Sequence, residues 1–121
     1  MKKTIEEQLT FDFYGELLSE RQKTVLAYYY NDDCSVPEIA ELTHMTRQGA
    51  YDACKRGKRQ MADFEKKLGL VTRFQKSRRL LAGIVDELSG VMQMESVQQD
   101  PVIQRELGGI VKKIEDLSDE F

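Results

Sequence analysis

Arg47, Gln48, Tyr51, Asp52 and Lys55 stand where a helix beginning at Arg47 would turn them away from the face made by Ala50 and Ala53. Their end groups suit the edges of nucleic-acid bases. Arg47 offers paired donors for guanine, and Gln48 a donor and an acceptor for adenine. Tyr51 can meet a thymine methyl or a phosphate; Asp52 can accept from cytosine but repels nearby phosphates. Lys55, Arg56, Lys58 and Arg59 are expected to hold phosphates, adding affinity that carries no sequence information. Gly49 costs about 1 kcal/mol inside a helix. It reads either as a point of close backbone approach or as a tolerated residue.

Positioning such a helix requires a cap, a turn and a supporting helix, and all three are legible just upstream. Thr46 can cap the Arg47 helix. Ser35 with Glu38 forms a capping box, and Pro37 sits in the first turn, where its missing N–H costs nothing. Ile39, Ala40 and Leu42 are expected to form the inner face of this short helix, and Thr43-His44-Met45 the tight turn after it. The small residues Ala40, Ala50 and Ala53 fall where two helices of a helix-turn-helix must approach closely. In that motif the N-terminal residues of the second helix face base edges in the major groove of duplex DNA. His44 occupies the turn position where many such motifs carry Gly, and His tolerates a left-handed backbone better than most residues.

The rest of the chain reads as helical. A first helix is expected from Thr4 to Leu18, with a stripe of Ile5, Leu9, Phe13 and Leu17 widened by Phe11, Tyr14 and Leu18. Ser19 and Gln22 repeat the capping box and open a helix to about Tyr30, with Gln22, Val25, Leu26 and Tyr29 inward. Asn31-Asp32-Asp33 reads as a polar turn rather than a metal or catalytic site. Beyond the motif the face Ala50, Ala53, Cys54, Gly57, Met61, Phe64, Leu68 carries the Arg47 helix on to a stop at Gly69. Val71, Phe74, Leu81, Ile84, Val85 and Leu88 mark the next helix, which Ser89-Gly90 either breaks or bends. Asp100-Pro101 begins a last helix whose Ile103, Leu107, Ile110, Ile114, Leu117 and Phe121 follow heptad spacing. The expected architecture is all-α: a helical bundle with a helix-turn-helix domain over residues 1–68 and a C-terminal helical extension over 69–121.

Charge is distributed unevenly along the 121 residues. The net charge is −3, yet residues 1–43 carry −5, residues 44–79 carry +8 and residues 80–121 carry −6. Phosphates respond to local charge, so the basic block around the motif outweighs the whole-chain value. Two cysteines, Cys34 and Cys54, suit a reducing compartment. A single histidine gives no zinc-ligand spacing, and neither a metal nor another cofactor is expected. No nucleophile–base pair or phosphate loop points to an enzyme. The N-terminal Met1-Lys2-Lys3-Thr4-Ile5-Glu6-Glu7 reaches acid too early for a signal peptide, and no apolar run approaches the roughly 20 residues of a membrane span. These features lead one to expect a cytoplasmic protein with no membrane partner.

Several strings in order strengthen the reading: Leu9-Thr10-Phe11-Asp12-Phe13-Tyr14, Leu17-Leu18-Ser19-Glu20-Arg21-Gln22, Tyr28-Tyr29-Tyr30-Asn31-Asp32-Asp33, Glu38-Ile39-Ala40-Glu41 and Thr46-Arg47-Gln48-Gly49-Ala50-Tyr51-Asp52. With them, roughly Thr4 to Leu88 resembles the YlxM-like bacterial family, whose helix-turn-helix is similar to region 4 of sigma factors. The resemblance implies a regulator linked to the signal recognition particle. Two functions follow as expectations: a DNA-binding regulator, or an adaptor binding the particle's protein or RNA and modulating its GTPase. A homodimer is also expected, joined through Ile103, Leu107, Ile110, Ile114 and Leu117 or through the aromatic first helix around Phe11. The competing arrangement folds the last helix back onto its own chain.

Overall fold

A computed structural model describes residues 4–119. Among these residues the chain is all-helical: α1 Ile5–Tyr14, a 3-10 turn Gly15–Leu17, α2 Glu20–Asn31, α3 Val36–Thr43, α4 Arg47–Leu68, α5 Leu70–Met92, α6 Glu95–Gln98 and α7 Pro101–Asp119. None of these helices is long and apolar enough to cross a membrane. Two compact units divide the chain, Met1–Thr72 and Arg73–Phe121. The division falls inside α5, so Leu70, Val71 and Thr72 belong with the first.

Local chemistry sets the helix starts of the first unit. Capping boxes open α1 (Thr4 with Glu7), α2 (Ser19 with Gln22) and α3 (Ser35 with Glu38), each side chain answering the other's backbone N–H. The backbone and hydroxyl of Ser35 hydrogen-bond Glu38 and hold its carboxyl below the usual carboxylate range. Long α4 is the central support, packing on α1, α2 and α3. Tyr14, Val25, Leu26, Ile39, Ala50 and Met61 are buried within this core. Phe11 stacks on Tyr30 with ring centroids 5.4 Å apart, and Tyr14 on Phe64 at 5.9 Å. Gly57 lets α2 and α4 approach, since a Cβ there would stand 2.6 Å from Leu26 Cδ1.

The junction after α4 is a second organised point. Gly69 takes φ +64° and donates its N–H to the Glu65 carbonyl at 2.8 Å. The Glu65 carboxylate then caps α5 from the preceding helix, accepting from the Val71 N–H (2.9 Å), the Thr72 N–H (3.1 Å) and the Thr72 hydroxyl (2.9 Å). It also accepts from the Tyr14 hydroxyl at 2.6 Å, while the Tyr14 oxygen accepts from the Leu70 N–H. Burial alone would raise the Glu65 carboxyl, but these hydrogen bonds outweigh it and hold the group below its ordinary value. Burial, followed by the bond to Glu65, pushes the Tyr14 hydroxyl up.

Three apolar assignments are corrected. In α1 the expected stripe is not the buried one: Ile5 and Leu17 are exposed, and Phe11, Tyr14 and Leu18 face the core. The large rings find partners on α2 and α4, and the helix tightens into a 3-10 turn before Leu17 can join them. Leu42 is exposed because α3 packs through Ile39 and Ala40, flanked by half-buried Val36 and Thr43. Leu68, the last residue of α4, is exposed, and the core continues beyond it through Val71. Phe11, around which the alternative dimer surface is expected, is itself buried and stacked on Tyr30.

In the second unit, α5 runs through Ser89-Gly90 without a break to Met92. Asp100 caps α7, its carboxylate accepting the N–H groups of Val102 (3.0 Å) and Ile103 (3.2 Å). Ile114 and Ser118 of α7 border a groove with Leu81, Ala82 and Val85 of α5. No described residue of α7 is buried. Its expected heptad face is divided: Leu107 and Ile114 are half-buried, whereas Ile103, Ile110 and Leu117 are 44–46% exposed. Phe121 lies outside the described residues.

Candidate nucleic-acid interface

The α3–turn–α4 geometry is that of a helix-turn-helix. His44 takes φ 57° and ψ 32°, and Met45 donates its N–H to the Ala40 carbonyl at 2.9 Å, closing α3. Thr46 then caps α4, accepting the Gly49 N–H at 3.0 Å. Ala50, Ala53, Cys54, Gly57 and Met61 are turned inward. The opposite face is thereby fixed, and Thr46, Arg47, Gln48, Tyr51, Asp52, Lys55, Arg56 and Arg59 are all exposed on it or its flanks. The first turn of α4 holds no acidic residue, so the positive end of the helix is uncompensated beside Arg47.

Within this group the structure draws distinctions that spacing does not. Gln48 donates its amide to Asp52 at 3.0 Å, so the adenine-suited side chain and the acidic one form a single hydrogen-bonded pair. Lys58 is placed differently from Lys55, Arg56 and Arg59, the other residues expected to hold phosphates. It is half-buried, with Nζ 4.1 Å from the centre of the Tyr29 ring and 5.9 Å from that of Tyr30, in a cation–π contact with α2. Lys55 and Arg59, one turn apart, remain on the outer face. Burial, aided by the negative charge of Glu7, pushes the nearby Tyr30 hydroxyl well up from its ordinary value.

Gly49 makes room for neighbouring groups: a Cβ there would stand 3.0 Å from both an Arg21 guanidinium nitrogen and the Thr46 hydroxyl. Arg21 is a site residue that sequence reasoning missed. It sits at the start of α2, and the packing of α2 on α4 carries it to the N-terminal turn of α4. There Ser19, Arg21 and Gln22 line a groove with Gly49, Asp52 and Arg56. The only available signal was its position two residues after a helix cap, which says nothing about its neighbours.

The basic block divides between the units. Arg47, Lys55, Arg56, Arg59, Lys66 and Lys67 are exposed on α4, while Arg73, Lys76, Arg78 and Arg79 are exposed on the part of α5 that belongs to the second unit. Arg78 also lies over the Phe74 ring, 5.6 Å from its centre. Among the described residues no group of His, Cys, Asp and Glu is arranged to hold a metal ion.

Residues 1–100 match the family described as "Putative helix-turn-helix protein, YlxM / p13 like". A UPF0122 protein of Acetivibrio thermocellus is 42% identical over 106 residues, covering 87% of this chain and 91% of its own. One from Thermoanaerobacter sp. (strain X514) is 38% identical over 110 residues, covering 91% and 92%. One from Bacillus cereus (strain AH187) is 32% identical over 117 residues, covering 97% and 98%. With its motif formed by α3 and α4, the chain belongs to the UPF0122 family of YlxM / p13-like helix-turn-helix proteins.

Proposed function

We propose that the protein is a cytoplasmic regulator that binds duplex DNA through the exposed N-terminal half of α4, acting by binding and not by catalysis. The observation that carries this reading is the coincidence of two properties on one face. Arg47, Gln48 and Tyr51 are presented outward at the start of a capped helix, and Lys55, Arg56 and Arg59 continue the same exposed surface with positive charge. The former suit base edges and the latter phosphates. Arg21 and Arg56 add charge beside the first turns. Titration of genomic fragments at several salt concentrations tests the reading. Arg47→Ala should cost about 1–3 kcal/mol on a specific site. Failure to bind any fragment in dilute salt would refute it.

One observation favours a second reading. The Gln48–Asp52 bond takes one of the two amide N–H donors of Gln48 and fixes a carboxylate among the basic groups. A partner recognised by charge and shape, such as the protein or RNA of the signal recognition particle, would tolerate this better than a base-read site. Pull-down from extract, with the particle's GTPase assayed in the presence and absence of the protein, separates the two. Co-purification and a changed GTPase rate support the adaptor; neither would leave DNA.

A further inference from the structure

α7 carries apolar and charged residues on a face that its own chain leaves open. Its half-buried side runs through Leu107, Val111, Ile114 and Ser118. About a quarter-turn away, Ile103, Ile110 and Leu117 line up at seven-residue intervals and are exposed, with Glu106 and Lys113 beside them. Neither charged side chain is ion-paired with another described residue. Read along the helix, the face is Ile103, Glu106, Ile110, Lys113, Leu117: apolar, acid, apolar, base, apolar.

That order is self-complementary in one direction only. We propose that two copies of this chain associate through α7 in antiparallel fashion about a two-fold axis at Ile110. Ile103 then packs on the partner's Leu117, Ile110 on the partner's Ile110, and Glu106 meets the partner's Lys113 twice, once on each side of the axis. A parallel pair would instead set Glu106 beside the partner's Glu106 and Lys113 beside the partner's Lys113. Gly109 keeps the flank of this face low. A Cβ there would meet nothing within 4 Å in its own chain. Charge complementarity thus selects a second copy as occupant, independently of what α4 binds.

Sedimentation equilibrium of the full chain at low salt, over a micromolar concentration series, tests this with four variants. The wild type should form a dimer by tens of micromolar, and Ile110→Glu should be monomeric with unchanged helical circular dichroism. Glu106→Lys and Lys113→Glu should each weaken the dimer about tenfold by creating like-charge pairs. The double exchange Glu106→Lys with Lys113→Glu should return it to within about threefold of the wild type. A wild-type monomer throughout, or a dimer indifferent to Ile110→Glu, would overturn the proposal. So would single exchanges without effect, as a parallel pair predicts, or a double exchange that fails to restore association.

Discussion

The two units solve the burial of helical apolar faces differently. In the first, α4 is enclosed by α1, α2 and α3, and Tyr14, Val25, Leu26, Ile39, Ala50 and Met61 share one core in which a glycine at 57 is needed for the helices to approach. In the second, the helices bury little: among the described residues only Phe74 and Val97 are buried, and Leu80, Ile84, Ile103, Ile110 and Leu117 remain exposed. Amphipathic spacing is equally clear in both. What separates them is whether neighbouring elements exist on every side of the apolar face. The first unit therefore sets the exposed face of α4 on a packed core, and the second leaves much of its apolar surface exposed.

The contrast can be broken most forcefully at its dense end. Leu26→Ala removes a side chain fully buried between α2 and α4 and should lower the stability of the first unit by about 2–5 kcal/mol. Chemical denaturation monitored by tyrosine fluorescence measures this. Ile110→Ala on α7 should alter the unfolding of the isolated monomer far less, because no buried cluster loses volume.

Glu65→Ala comes next. It leaves the Val71 and Thr72 N–H groups and the Tyr14 hydroxyl without their acceptor, and should cost about 1–3 kcal/mol at neutral pH. Because the folded carboxyl lies below its ordinary value of 4.5, its stabilisation is present above that value and is lost as pH falls through the lowered one. Denaturation below about pH 4.5 should therefore narrow the gap between wild type and Glu65→Ala.

Glycine substitutions sharpen the comparison because they should change sign between units. Gly57→Ala sets a Cβ 2.6 Å from Leu26 Cδ1, whose buried side chain has little space to retreat, and should destabilise by about 1 kcal/mol despite the gain in helix propensity. Gly83→Ala meets nothing within 4 Å on α5 and should stabilise by about 0.5–1 kcal/mol. Paired thermal melts decide the sign.

Caps were the most legible part of the chain. Ser19, Ser35, Thr46, Gly69 and Asp100 act where their types and spacing indicate, because capping involves residues only a few positions apart. Which apolar residues face inward was less so. Ile5, Leu17, Leu42 and Leu68 fit helical stripes but lack covering neighbours, and coverage is a tertiary property. The same limit governs the site. The outward placement of Arg47, Gln48, Tyr51 and Lys55 follows from the alanines opposite. The withdrawal of Lys58 onto Tyr29 and the arrival of Arg21 beside Gly49 both depend on how α2 crosses α4.

Lys58 and its exposed neighbour Arg59 allow the central claim, that the outer face of α4 meets nucleic-acid phosphates, to be tested at single-residue resolution. The measurement is the slope of log K against log salt for a DNA duplex, compared among the wild type, Arg59→Ala and Lys58→Ala. Arg59 is on the outer face, so its loss should reduce the magnitude of the slope by about 0.9. Lys58 is held over Tyr29, so Lys58→Ala should lower stability by about 0.5–1 kcal/mol and leave the slope unchanged. A slope untouched by Arg59→Ala but flattened by Lys58→Ala, or no duplex binding even in dilute salt, would contradict the account.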